Sequence, residues 1–220
     1  MSISVDANGY LNVLGVIGQG EMVLPGGDLT WNNDTGADDT FVISYDVNGE
    51  WYFASFIGGG DQAIGNDIAS LADGDFFVTG TFTDSVLFQG DEDENLDDVI
   101  LSTDNAEGFL AKYDINGNVL WARKFGNTSN FDADKVTSDP DGNAYVLGRF
   151  RNFATFNEGS GNAVTLTTSS VNDMYIAKFD TEGNVLWVKQ IEGSGRQSRD
   201  ITHYDVKQPL GTRQLDLTYS

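Results

Sequence analysis

The sequence contains no cysteine and a single histidine, His203. Disulfide staples and thiol chemistry are therefore excluded. A Cys–His or Ser–His–Asp arrangement has little to build on, and His203 reads as an ordinary surface or edge residue. Basic residues are also scarce, with 12 Lys and Arg against 34 Asp and Glu, a formal charge of −22. Phosphate recognition needs a basic footprint, so nucleic acid is not an expected partner, nor is an anionic membrane surface. The charge implies a well-solvated acidic surface. No apolar run approaches the roughly 18 residues that cross a bilayer, so no membrane insertion is expected. The first residues lack the basic and apolar regions of a signal peptide and start in mid-pattern, which suggests a segment of something longer.

Proline is nearly absent too, with 3 residues, whereas glycine supplies 26 and aromatics 12%. That balance suits strands joined by many tight turns. The organising stretch is residues 107–125, EGFLAKYDINGNVLWARKF, in which Asp114-Ile115-Asn116-Gly117 separates two β-prone runs as a hairpin turn does. It returns at 173–191 as DMYIAKFDTEGNVLWVKQI and, in looser form, at 39–57 as DTFVISYDVNGEWYFASFI. Other landmarks repeat with it. Asp6-Ala7-Asn8-Gly9, Asp73-Gly74 and Asp139-Pro140-Asp141-Gly142 are equivalent turns, each followed by a strand that ends at Gly15, Gly80 or Gly148. Phe41, Phe109 and Tyr175 open the hairpins; Gly49, Gly117 and Gly183 turn them; Phe53, Trp121 and Trp187 sit four residues beyond. The spacings are 65 and 68 residues between the strand glycines, and 68 and 66 between the last aromatics. Several landmarks with one period define a repeat.

Each unit holds about four strands, counting lead-ins at 66–71 and 134–138, and no segment has a helical period. Residues 174–179 are largely apolar on both strand faces, as sheets packed between other sheets require. The fold class expected is all-β, a β-propeller-type repeat of four-stranded antiparallel blades, with about three blades plus the start of a fourth in a partial or open propeller. A β-sandwich explains neither the long period nor the recurring Trp. The repeats span residues 1–202, with blades at approximately 1–60, 61–128 and 129–192 and the start of a fourth at 193–202. Residues 203–220 form a divergent or truncated tail, in which Lys207 stands where a fourth turn glycine is due. Closed rings take four to eight blades, so three leave one face open at each end. Four or five apolar side chains per open face forfeit on the order of 10 kcal/mol, against a whole-domain stability of about 5–15 kcal/mol. Further blades of a longer chain, or a second copy, are expected to cover them.

The pattern of residues 139–150, D-x-x-G-N-x-Y-V-x-G-x-F, followed by that of 173–187, x-A-K-[YF]-D-x-x-G-N-V-L-W, resembles the bacterial β-propeller repeat known as SBBP. The second and third units match it well. The first has Phe53 at the Trp position and Ser44 at the position of Lys112 and Lys178. The resemblance implies blades of large, mostly secreted or surface-attached bacterial proteins, hence an extracellular or cell-surface location. It implies no catalytic activity and no shared active site.

No catalytic, cofactor-binding or metal residue is assigned, and no cofactor is expected. The acidic run Asp91-Glu92-Asp93-Glu94-Asn95-Leu96-Asp97-Asp98 has the oxygens that Ca²⁺ needs but lacks the glycine and terminal Glu of an EF-hand, and reads as a solvated loop. Asp139-Pro140-Asp141-Gly142 resembles a calcium-loop fragment, but its twins mark it as a blade turn. The clusters at Gly15, Gly18 and Gly20 and at Gly58-Gly59-Gly60 precede no helix that would make them phosphate loops. Asn33-Asp34-Thr35 and Asn127-Thr128-Ser129 fit the glycosylation pattern. The segments 16–39, 81–106 and 149–172 differ in sequence while filling one slot in the repeat, and binding specificity belongs in such a place; they also read as longer outer hairpins. The leading function is thus a non-catalytic scaffold or binding module for protein or glycan. The alternative is a fragment of a quinoprotein-like propeller dehydrogenase using pyrroloquinoline quinone and Ca²⁺, because residues 113–121 also resemble its Trp-docking repeat, with Gly four residues before Trp. Asn48, Asn116 and Glu182 depart from the Thr usual there.

Overall fold

The computed structural model describes residues 1–23, 30–33, 36–59, 62–89, 97–126, 130–159, 161–168 and 172–192, the side chains of 30–32 excepted. Every regular element among them is a strand. Three times over, four antiparallel strands form a meander. The first comprises β1 (Ser2–Val5), β2 (Leu11–Ile17), β5 (Asp39–Tyr45) and β6 (Trp51–Gly58). The second comprises β7 (Gln62–Ser70), β8 (Phe76–Thr83), β11 (Glu107–Tyr113) and β12 (Val119–Phe125). The third comprises β13 (Phe131–Ser138), β14 (Ala144–Phe150), β17 (Asp173–Phe179) and β18 (Val185–Ile191). Between its second and third strands each meander carries a hairpin: β3 (Gly20–Val23) with β4 (Thr30–Asn33), β9 (Ser85–Phe88) with β10 (Val99–Ser102), and β15 (Phe153–Phe156) with β16 (Val164–Thr167).

The recurring residues have local causes. All six turn glycines of the meanders (Gly9, Gly49, Gly74, Gly117, Gly142 and Gly183) have φ between +80° and +98°, a region closed to most side chains. In five of the six turns an Asp three residues earlier accepts N–H bonds through its carboxylate; Asp114, for example, takes those of Asn116 and Asn118, both at 2.9 Å. Such an Asx turn ties the chain reversal to one side chain. The strand glycines and hairpin-opening aromatics are partners. Gly15 pairs with Phe41, Gly80 with Phe109 and Gly148 with Tyr175 across adjacent strands. A Cβ at any of these glycines would run into the facing ring, and at Gly80 and Gly148 also into the carbonyls of Ile64 and Asp132. The ring lies over the glycine and repairs the packing that glycine lacks.

The three sheets stack, and the second has one face toward the first sheet and the other toward the third. Leu14, Val42 and Ile57 of the first meet Phe76, Val78, Phe109 and Tyr113 of the second in one core. Phe77, Leu110 and Phe125 of the second meet Val146, Phe150, Tyr175 and Phe179 of the third in another. This is the partial, unclosed form of a propeller-type repeat.

Two features depart from the sequence pattern. The lead-in strands are longer than the alternation indicates, starting at Gln62 and Phe131, because the register shifts between Gly65 and Asp67 and between Ala133 and Lys135. A bulge resets the two-residue period. Moreover, the first sheet is six-stranded, because β9 of the next unit pairs with the end of β6 through Ile57↔Phe88 and Gly58↔Leu87. At the next junction Gly126 and Thr155 exchange N–H···O bonds of 2.8 and 3.0 Å. The inserted hairpins of the second and third units therefore reach back to the outer strand of the preceding sheet, and Phe88 and Phe156 are buried in the cores there.

Candidate interaction surface

The most recognisable residues of the chain belong to its internal junctions. The Phe53 ring lies over Gly117, and the Trp121 ring over Gly183, where a Cβ would come within 2.9 Å of it. The Trp121 indole N–H donates to the Thr181 carbonyl at 2.9 Å, and Arg123 Nη2 donates to the Glu182 carbonyl at 3.0 Å. Arg123 also lies 5.5 Å from the Trp121 ring centre. Phe53 stacks on Phe76, and Phe76 on Tyr113. In the first two units the aromatic four residues beyond the turn glycine thus caps the same turn in the following sheet.

Lys112 and Lys178 bridge strand and turn within a sheet. Lys178 meets Asp139 at 2.9 Å and lies 4.8 Å from the Tyr145 ring centre. Lys112 meets Asp75 at 2.8 Å. In the second unit Leu71 occupies the place of Asp6 and Asp139, and the carboxylate has moved across the turn to Asp75. The Asp139 carboxylate also accepts from the Asn143 amides and the Tyr145 hydroxyl. Burial pushes it up, but the Lys178 ammonium and these donors hold it well below the usual carboxylate range. Both of its oxygens are thus engaged within the blade turn.

On the first strands the sheets meet through polar groups. Ser2 Oγ donates to Asp67 Oδ1 at 2.5 Å, the Val136 N–H donates to Asp67 Oδ2 at 3.1 Å, and Lys135 Nζ lies 3.6 Å from Asp67. Sequence reasoning missed a second set, Asp39, Glu107 and Asp173. All three are buried, and each stands ten residues before a turn glycine. Glu107 takes the Thr103 hydroxyl at 2.9 Å and Lys124 Nζ at 3.5 Å, and Asp173 takes Gln190 at 2.7 Å. Burial raises the Asp39 carboxyl above its ordinary range, opposed by the Gly59 N–H. The common offset from the turn glycine was the signal available for finding them.

A cavity of about 410 Å³ opens beside Glu107 and is lined by Asp84, Thr103, Asp104, Lys124 and Glu158 among others. Its deepest carboxylate is already paired, and among the described residues no three acidic or His side chains are placed to hold a metal. Of the acidic run, residues 91–96 lie outside the described residues, while Asp97 and Asp98 are exposed. His203, the tail, Gly60, Asp34-Thr35 and Asn127-Thr128-Ser129 also lie outside them. The described residues contain no helix of a length and apolarity that would cross a membrane. The inserted hairpins expose apolar side chains, among them Val23, Ile100 and Phe153.

No protein-family model matches the chain. It is 27% identical over 188 residues to the uncharacterized WD repeat-containing protein L264 of Acanthamoeba polyphaga mimivirus, a match covering 81% of this chain and 13% of that protein. It is 26% identical over 157 residues to the regulatory protein FlaEY of Caulobacter vibrioides (strain ATCC 19089 / CIP 103742 / CB 15), covering 71% of this chain and 16% of that protein. The chain therefore spans a small part of the length of these relatives. The class that fold and junctions define is an all-β, propeller-type repeat with an open ring, in keeping with its likeness to a WD repeat-containing protein.

Proposed function

We propose that this chain is a non-catalytic propeller-type scaffold whose inserted hairpins bind a protein or glycan, and that it works in an extracellular or cell-surface protein of the SBBP-type bacterial repeat. The observation that carries the reading is the shared slot. In all three units the sequence that does not repeat carries a hairpin between the second and third strands. The repeated glycines and most of the repeated aromatics serve turns and junctions, whereas Ile100 and Phe153 are left in solvent on the hairpins. Loops held on a rigid framework are the usual place for recognition.

The test is a glycan array and a panel of purified surface proteins probed with the chain and with the double variant Ile100→Asp, Phe153→Asp. The expected result is binding by the parent that falls at least about tenfold in the variant, the effect of losing about 1.4 kcal/mol, with the fold unchanged by circular dichroism. Binding that is insensitive to the hairpin substitutions contradicts the reading.

A further inference from the structure

The buried acids Asp39, Glu107 and Asp173 each stand two residues before the hairpin-opening aromatic, which pairs across the sheet with the residue seven beyond the turn glycine. Those pairs are Phe109 with Lys124, Tyr175 with Gln190 and Phe41 with Phe56. In the second unit Lys124 Nζ lies 3.5 Å from the Glu107 carboxylate and donates to the Ser102 carbonyl at 2.8 Å. In the third, Gln190 Nε2 donates to Asp173 Oδ2 at 2.7 Å and to the Thr167 carbonyl at 3.0 Å. Ser102 and Thr167 are the last residues of β10 and β16, the second strands of the inserted hairpins. One donor on the outer strand thus fastens the hairpin to a buried acid of its own sheet. The residues that follow close the hairpin base alike, the Thr103 N–H donating to the Asp84 carbonyl at 2.7 Å and the Thr168 N–H to the Asn152 carbonyl at 2.8 Å. In the first unit Phe56 has no donor to offer, and Asp39 Oδ1 is buried without a hydrogen-bond partner among the described residues. Asn33, the last residue of β4, ties that hairpin instead, its Nδ2 donating to the carbonyls of Ile17 at 3.1 Å and Ala37 at 2.7 Å.

We propose that Lys124 and Gln190 are positioning residues for the hairpin surface, and that the charged Lys124 fastening makes the second hairpin responsive to ionic strength where the third is not. The fastened carbonyls adjoin the side chains offered for binding. Ile100 lies two residues before Ser102 on β10, and Phe153 of β15 pairs with Thr167. Releasing either carbonyl therefore loosens the strand pair that presents the exposed side chain. The Lys124 side chain is 36% exposed, and the cavity beside Glu107 opens on the pair, so dissolved ions reach it. Salt screens an accessible ion pair, whereas the Gln190 amide has no charge to screen. The bearing of these residues on recognition rests on the hairpin-binding reading; the fastening itself does not.

Amide hydrogen exchange of the whole chain, followed residue by residue by NMR, tests it. Lys124→Met keeps most of the side chain's length and removes the ammonium. The amides of Thr103 and β10 should then exchange at least about threefold faster, the effect of losing a part-exposed ion pair, while the paired amides of β8 and β11 keep the parent rates. Lys124→Gln copies the third unit and should restore the parent rates at β10. A side chain that only filled space would be replaced as well by Met as by Gln. Raising salt from about 0.05 M to about 1 M, where the Debye length falls to about 3 Å, should speed exchange at β10 more than at β16 in the parent, and equally at both in Lys124→Gln. Parent-like exchange at β10 in Lys124→Met overturns the proposal. So does a failure of Lys124→Gln to restore it, or an equal salt response of β10 and β16 in the parent. Any of these leaves the hairpin-binding reading standing. A silent glycan array and protein panel, with the exchange results as expected, removes that reading and leaves the fastening.

Discussion

At the scale of single residues, the repeat lets one side chain be judged against its twins. Tyr113 and Phe179 close the third strand of their sheets in the same place, and both are buried. The Tyr113 hydroxyl has no hydrogen-bond partner among the described residues. An unsatisfied buried hydroxyl costs about 1–3 kcal/mol, so Tyr113→Phe should raise the unfolding free energy by about 1 kcal/mol in urea titration. A loss of stability would show that the hydroxyl has a partner. Asp39 invites a similar test. Its folded pKa is raised, so the folded state holds its proton more tightly than the unfolded chain, whose carboxyl titrates near 4. Asp39 therefore costs stability at neutral pH, and the cost disappears below about pH 4. Asp39→Asn should melt higher than the parent at pH 7 and not at pH 3.5; a gain equal at both would contradict the assignment. Glycines and aromatics were legible in the sequence because nothing else suits their places. The buried acids were not, because hydrophobic periodicity assigns a charged side chain to solvent unless its partner is known, and Gln190 and Lys124 are distant in sequence.

At the scale of elements, the sequence located the third strands and the hairpin turns well, whereas the second strands run past Gly15, Gly80 and Gly148 to Ile17, Thr83 and Phe150. β12 and β18 cover the runs that the repeat marked out. Their chemistry is local, a glycine at positive φ and an Asp that ties the turn. The turn acids also set the acid limit of stability. Asp139 and Asp180 are pushed up by burial but lowered further by their hydrogen-bond donors, and Asp46 is lowered by the N–H groups of Glu50 and Asn48. Depressed carboxylates stabilise the fold above about pH 4, and the contribution is lost as pH falls toward their folded values. Thermal melts should therefore drop below pH 4, less steeply in Asp139→Asn; an unchanged slope would mean that the Lys178 pair contributes nothing. Gly148→Ala tests the paired strands. Its methyl would collide with the Asp132 backbone and the Tyr175 ring, and overpacking of this kind costs about 1–3 kcal/mol. A neutral result in urea unfolding would show that β13 yields. The inserted hairpins were legible as a slot but not as straps, because their contacts fall on another sheet and no local pattern encodes them.

At the scale of the molecule, the sequence disclosed a repeat and an open ring, and the structure adds how one sheet recognises the next. The parts are an aromatic over a turn glycine, a hairpin strand against an outer strand, and two aromatic-rich cores. The repeat by itself cannot say which Trp is used, since Trp121 and Trp187 have the same local sequence around them. Only their place in the stack differs, with a sheet following Trp121 and the third sheet's outward face bearing Trp187. Function is accordingly sought away from these residues, on the hairpins whose sequences do not repeat.

The measurement that tests this most directly is urea unfolding of Trp121→Ala and Trp187→Ala. If the recurring Trp is a junction residue, Trp121→Ala should cost about 3 kcal/mol, as large aromatic truncations in packed sites do, and Trp187→Ala less than about 1 kcal/mol, as exposed substitutions do. Equal losses from the two variants would contradict the account.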